Sequence, residues 1–272
     1  MSDLPIVGAA VTLDSFDTLR DVMFEKDRDL ELQDFTRPEV LDGDVAPLVD
    51  RARAALAGYG GRHGIHGPFW DLPLATWDPQ IREVIHARMF KALGICEALG
   101  SSHMVVHSPY TAWDHHNIRH YPNAREGIFE RFQATMAPMV KRAEEVGTAL
   151  VLENIEDVDP SFRVELAASL GSDALQISVA TGHAHWAHGA VGAPPVDYFI
   201  KAAGDRLQHV HLQDADGYAD RHWVLGQGTI RWDAVFEAIA QTGSAPRLII
   251  EVFAEDGIRK SLAWLQAQGL AQ

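Results

Sequence analysis

Short apolar runs alternate along this chain with longer stretches whose apolar residues recur every three to four positions. Runs of the first kind suit strands buried on both faces of a parallel sheet, and the second kind suit the helices that cover it. The runs predict eight strands, at Ile6–Leu13, Asp29–Gln33, Gly64–Gly67, His103–His107, Ala149–Asn154, Leu175–Val179, Leu207–Gln213 and Arg247–Val252. Eight helical patterns alternate with them: Ser15–Phe24, Val45–Gly58, Ile81–Leu99, Ala124–Val146, Phe162–Leu170, Val196–Ala203, Trp232–Gln241 and Asp256–Gln268. In Ile81–Leu99 one face carries Ile85, Met89, Ala92, Leu93 and Cys96; in Val45–Gly58 one face carries Leu48, Ala52, Ala55 and Leu56. Strict β/α alternation over 272 residues predicts a (β/α)8 TIM barrel, an α/β fold in one domain spanning 1–272. No GxGxxG follows the first strand, which argues against an open dinucleotide-binding sheet.

Composition narrows the partners. With 47% hydrophobic and 22% charged residues the chain can bury a core. A net charge of -15 repels a phosphate backbone, and no Lys/Arg cluster offsets it, so nucleic acid is a disfavoured partner. The single Cys96 excludes an internal disulfide and a CxxC metal clip, and its helical setting reads as a small buried apolar residue rather than a reactive thiol. The first residues lack the basic and apolar regions of a secretory signal, and no apolar run reaches the ~18 residues of a membrane span. The expectation is a cytoplasmic protein with no membrane partner. An acidic barrel of this size also often pairs, so a homo-oligomer is an open expectation.

The chemistry concentrates where strands hand over to loops, which in such barrels is the catalytic end. Strand three ends in His66-Gly-Pro-Phe, strand four in His107-Ser-Pro-Tyr and strand five in Leu152-Glu153-Asn154. Thr181-Gly182-His183 follows strand six, strand seven holds His209-Val-His211-Leu-Gln-Asp214, and strand eight ends in Ile250-Glu251. Asp220-Arg-His222 and Gly226-Gln-Gly228 follow in the loop after strand seven. Imidazoles mixed with carboxylates suit Zn²⁺, Mn²⁺ or Fe²⁺. A lone histidine at a strand end is commonly a hydrogen-bonded core residue, and a lone glutamate an ion-paired one. Convergence at six of eight strand ends favours a metal site over independent accidents.

His209 and His211 share a strand face because side chains two apart point the same way. His211 is the ligand candidate; His209, one layer deeper, packs or orients. Gly226 and Gly228 are read as a tight turn. Trp70 and Trp113 are read as an apolar wall for the substrate or as packing residues. His115, His116, His120 and His185, without partner patterns, are assigned to loops or the surface.

On these motifs the chain resembles the xylose isomerase-like TIM-barrel superfamily, which holds sugar phosphate isomerases/epimerases and the zinc-dependent apurinic endonucleases (AP endonuclease family 2). The resemblance covers nearly the whole chain. It implies Glu153, His211 and Glu251 as ligands of one divalent cation (Mn, Zn, Fe, Co or Mg, with Mn or Zn favoured). The two glutamates would also be the catalytic acid–base pair. His183 would bind substrate, with His66 and His107 beside it. In the endonuclease branch, His66, His107, His183, Asp220 and His222 would hold additional metal. The usual Asp-Thr-Gly-His segment departs here: Ala180 stands where the ligand aspartate is expected.

The resemblance implies an isomerase or epimerase of a keto-sugar or related polyol derivative, working by proton transfer through an enediolate. The alternatives are a dehydratase or lyase on a keto-sugar or cyclic polyol, a zinc-dependent phosphodiesterase of the AP endonuclease type, and an impaired or non-catalytic sugar-binding member. The absence of a phosphate-cradling glycine loop leans towards a non-phosphorylated carbohydrate.

Overall fold

In the computed structural model, which describes residues 4–254 and 256–272, eight parallel strands close on themselves in chain order. They are β1 (Gly8–Val11), β2 (Leu30–Leu32), β3 (His63–His66), β4 (His103–His107), β5 (Ala149–Glu153), β6 (Leu175–Ala180), β7 (Leu207–Leu212) and β8 (Arg247–Ile250). Each is a mostly buried run, because one face packs into the lumen and the other against the helical ring. The β8–β1 pairing, Gly8 with Ile249 and Ala9 with Ile250, closes the circle.

The long helices fall where the three-to-four spacing predicts them. Pro79–Leu99 starts on the capping carboxylate of Asp78, which accepts from the Gln80 amide at 2.7 Å. Asp159 caps Pro160–Ala168 in the same way. Ala124–Val146, Val196–Ala203 and Trp232–Gln241 match the sequence reading end for end. Most predicted strands run one or two residues too long at an end.

Three helices correct the sequence reading: Pro38–Asp42, Ala112–Asn117 and Thr181–Val191. His115 and His116 therefore lie on a helix, as does His185, rather than in loops. Thr181–Val191 was hidden because its inner face is made of Thr181, Gly182, Ala184 and Ala187, small residues that leave no apolar stripe. Its consequence is direct, because it sets His183 in the first turn of a helix that begins where β6 ends.

Around β5 and β6 the wall is tied by a buried cation. Arg163 donates through Nη1 to the carbonyl oxygens of Leu152 (3.0 Å) and Ser178, and to Asn154 Oδ1 (3.3 Å). Its guanidinium lies 3.6 Å from Asp157, and both side chains are fully buried. Burial pushes the Asp157 carboxyl up to about 6 despite that partner. Removing one member of such a pair leaves the other uncompensated, at a cost of about 3–5 kcal/mol. Arg163→Met is therefore expected to lower stability by about that amount in equilibrium urea unfolding; a loss of under about 1 kcal/mol would show that the tie is dispensable.

Candidate metal centre

Strand alternation builds the site. Ser178 and His209 face each other in the lumen, with Ser178 Oγ 2.8 Å from His209 Nδ1. Two residues further along the same strands come Ala180 and His211, paired in register. His107 and Glu153 are likewise register partners on β4 and β5. The mouth thus collects His66, His107, Glu153, His211 and Glu251 from five strand ends, with His183, Asp220 and His222 arriving from the connections above.

These residues form three trios whose donor atoms lie within 4.8 Å of one another: His66–His107–Glu153, Glu153–His211–Glu251 and His183–Asp220–His222. Glu153 belongs to two of them. Its Oε2 stands 3.7 Å from His66 Nε2 and 3.5 Å from His107 Nε2, while Oε1 lies 2.7 Å from His211 Nδ1. Glu251 Oε2 is 3.5 Å from the same His211 nitrogen. In the third trio His183 Nε2 and Asp220 Oδ2 are 3.5 Å apart, and His222 Nε2 and Asp220 Oδ1 are 3.1 Å apart.

Several of these separations exceed a good hydrogen bond and match the edge of a zinc tetrahedron, roughly 3.3 Å for bonds of 2.0–2.1 Å. Glu153 Oε2 is buried with no hydrogen-bond partner of its own. The outer nitrogens are pinned as well. His66, His183 and His222 each donate Nδ1–H to a backbone carbonyl, those of Gly67 (2.8 Å), Asn154 (2.9 Å) and Glu251 (3.2 Å). A carbonyl only accepts, so in each ring Nε2 is left to face the carboxylates with its lone pair, as metal-ligating histidines are held. His211 is turned the other way. Its Nε2–H donates to Glu31 Oε1 at 3.0 Å, leaving Nδ1 for the mouth. The donor set therefore fits one or more divalent ions of the zinc class.

Electrostatics point the same way, because protons occupy the positions that cations would take. Burial pushes the His211 imidazole down, but Glu251, Glu31 and Glu153 outweigh it and hold it well above its ordinary value. Burial alone would raise the Glu153 carboxyl; the charge of His211 and its hydrogen bond to Oε1 outweigh that and hold it well below the carboxylate range. His107, where burial dominates, is pushed down to about 3.

His183 is opposed by burial yet held up at about 9, chiefly by Asp220 and then by Glu153. A histidine whose pKa rises on folding adds stability below its ordinary value of 6.5 and loses it as pH climbs through about 9. Metal-free protein should accordingly lose melting temperature between pH 6.5 and 9, more than His183→Asn does over that range. Saturating zinc, which displaces the proton, should flatten the difference. Parallel pH profiles for the two metal-free proteins would remove His183 from this role.

Of the remaining predicted residues, Trp70 is half-exposed and stacks on Phe69 (4.8 Å between ring centroids), and it is Phe69 that lies flat on His107 at 4.3 Å. Trp113 pairs with Tyr121 at 6.0 Å on an exposed face. Gly226 has the left-handed φ of a turn (86°), whereas Gly228 is there for close approach: a Cβ would sit 2.2 Å from the Ala215 carbonyl oxygen. Asp214 organises this loop, accepting from the Gly226 amide (2.8 Å) and Trp232 Nε1 (3.0 Å).

Sequence reasoning missed Glu31, Gln33 and Gln213. Gln33 Nε2 donates to Glu251 Oε1 at 2.7 Å, and Gln213 Nε2 approaches Glu251 Oε2 at 3.5 Å, so the two amides aim that carboxylate. The available signal was an acid inside an apolar strand, Leu30-Glu31-Leu32, where a charge must have a partner.

The Xylose isomerase-like TIM barrel family matches residues 21–268. This chain belongs to that family. Among curated proteins it is 27% identical to the uncharacterized protein MJ1311 of Methanocaldococcus jannaschii over 66% of this chain and 60% of that protein. The match thus spans under two thirds of that relative's length. The fructoselysine 3-epimerase of Escherichia coli O157:H7 is 25% identical over 37% of each chain. Among solved structures, a D-tagatose 3-epimerase-like protein superposes with a TM-score of 0.78 at 20% identity over 97% of both chains. The TTHB071 protein of Thermus thermophilus, soaked with ZnCl2, superposes with a TM-score of 0.71 at 25% identity over 96% of both. Among the described residues no helix is long and apolar enough to cross a membrane.

Proposed function

We propose that this protein is a divalent-metal-dependent epimerase or isomerase of a keto-sugar or related polyol, with Glu153 and Glu251 as its proton-transfer pair. The observation that carries this reading is their shared target: both carboxylates turn to His211 Nδ1, at 2.7 and 3.5 Å, one from β5 and the other from the end of β8. The sugar-epimerase relatives support the substrate class. Glu153, His211 and Glu251 would hold the central ion, and His66, His107, His183, Asp220 and His222 would hold further ions on either side. Such an ion supplies Lewis acidity towards a carbonyl and its neighbouring hydroxyl.

The chain's own residues do the rest. One glutamate takes the proton from the carbon α to the carbonyl. The C–H electron pair becomes the C=C bond of an enediolate, and the carbonyl oxygen gains the charge. The other glutamate, which enters protonated, returns a proton to the opposite face of the same carbon for epimerisation; for isomerisation it protonates the former carbonyl carbon while the neighbouring hydroxyl's proton passes to the former carbonyl oxygen. Gln33 and Gln213 keep Glu251 aimed during both steps, and Phe69, lying on His107, shields one side of the mouth from water.

The test is solvent-deuterium incorporation by the metal-replete protein across a panel of ketoses and their polyol derivatives. Exchange at carbon with the native protein, lost in Glu251→Gln, is expected. A panel that shows no exchange with the native protein, or exchange that survives Glu251→Gln, rejects the reading.

A second reading, phosphoester hydrolysis of the AP endonuclease type, is favoured by the His66–His107–Glu153 and His183–Asp220–His222 trios, which an epimerase with one ion does not need. Three zinc equivalents together with incision of an abasic duplex, and no deuterium exchange, would put it first. The net charge of -15 stands against a nucleic-acid substrate.

A further inference from the structure

Beneath the mouth lies a second polar layer that the proposed chemistry does not use. Glu31 on β2, His103 on β4 and His209 on β7 meet in the lumen, each with 0% exposure. Because His209 precedes His211 by two residues, this layer sits roughly 6.6 Å below the mouth along the strand. Glu31 Oε2 stands 3.0 Å from His209 Nε2 and 3.7 Å from His103 Nε2, and the three donor atoms lie within 4.8 Å of one another.

None of these three atoms has a hydrogen-bond partner, and neither does His103 Nδ1. Buried polar atoms are nearly always paired, so an unpaired set aimed at a common point marks something that fills it. The other ends of two of the side chains are already engaged. Glu31 Oε1 accepts from His211 Nε2 at 3.0 Å, and His209 Nδ1 is held by Ser178 Oγ at 2.8 Å. The free atoms are thereby turned towards one another. Room for the His103 ring depends on Gly64: a Cβ there would lie 2.4 Å from the ring's Cε1 and Nδ1.

We propose that Glu31, His103 and His209 form a separate, fully buried site for a zinc-class divalent cation, one layer below the centre at the barrel mouth. Its ligands would be Glu31 Oε2 and the two Nε2 atoms, a pair of imidazoles with one carboxylate that suits Zn²⁺. Glu31 links the two layers, since one of its oxygens holds this site while the other fixes the orientation of His211. An ion sealed here has no open path to substrate, so its role is to brace the carboxylate that aims His211. This inference stands independently of the reaction catalysed above it.

The test uses the full chain produced in zinc-supplemented medium and crystallised with ZnCl2. Anomalous diffraction at the zinc edge should show a peak about 2.0–2.2 Å from both His103 Nε2 and His209 Nε2. In solution, elemental analysis of His103→Leu should give one zinc equivalent fewer than the native protein. Asp220→Ala should instead lose its equivalent from the mouth and keep the deep one. Native crystals without a peak between the two imidazoles overturn the proposal, whatever ions fill the mouth. Folded His103→Leu with an unchanged zinc count overturns it as well. Where that variant fails to fold, the native anomalous map decides alone.

Discussion

Glu153→Gln is expected to lower turnover by at least about 10³-fold and to release two zinc equivalents at once. One carboxylate serves two trios here: Oε1 faces His211 Nδ1, and Oε2 faces His66 and His107 Nε2. General acid–base catalysis contributes typically 10²–10⁴-fold, and perturbing groups that merely orient a ligand already costs 10–100-fold in affinity or activity. Glutamine keeps the shape but carries no charge, and its NH2 replaces one of the two oxygens that the two trios share. The metal-free protein reports the same change by a second route. His211 is held well above its ordinary value partly by Glu153, so its protonation midpoint should fall in the variant, visible in the imidazole NMR shifts against pH. Glu251→Gln makes the contrast. It should match the loss of turnover while releasing one zinc equivalent at most, because Glu251 belongs to neither the His66–His107–Glu153 trio nor the His183–Asp220–His222 trio. Glu153→Gln protein that retains full zinc content and turnover within tenfold of native would sink the bridging role.

The residues that make this prediction possible were legible in the chain because barrel geometry is so restrictive. Apolar runs locate the strands, the catalytic end of each strand is known by direction alone, and a histidine or carboxylate at that point needs a reason to be there. His66, His107, Glu153, His211 and Glu251 stand out in that way, His183, Asp220 and His222 stand in the connections after strands six and seven, and the structure brings all eight to one mouth. What the chain hides are the groups whose meaning lies in a partner. Gln33 ends a predicted strand, yet an amide there is silent until Glu251 Oε1 is seen 2.7 Å away. Glu31, in the middle of β2, and His103, at the start of β4, lie far along the chain from their lumen neighbours on β7, and no local period connects them. The helix Thr181–Val191 is hidden for the opposite reason. Its inward residues are so small that close packing, not an apolar stripe, seats it.

Ala180→Asp is expected to tighten zinc binding at the central trio by at least about tenfold, the lower end of what a single change around a metal ligand costs in reverse. The argument rests on position. Ser178 and Ala180 are two residues apart on β6 and so share the lumen face; Ser178 already meets His209, and Ala180 is the register partner of His211. A carboxylate at 180 would therefore enter beside His211, Glu153 and Glu251. The backbone there is fixed independently of the side chain. Asn154 accepts from the Ala180 amide at 2.9 Å and donates to its carbonyl oxygen at 3.1 Å, so the added group arrives on a rigid support. The site already contains two carboxylates around His211, and a third raises mutual repulsion in the metal-free protein. That repulsion should lower apo stability while the zinc-loaded form gains it, so the gap in melting temperature between apo and zinc-saturated protein should widen in the variant. Competition against a chromophoric chelator measures the affinity, and calorimetry with and without zinc measures the gap. Unchanged zinc affinity with an unchanged gap would mean that the alanine position does not face the ion, and that this chain completes its central shell with something other than the lost carboxylate.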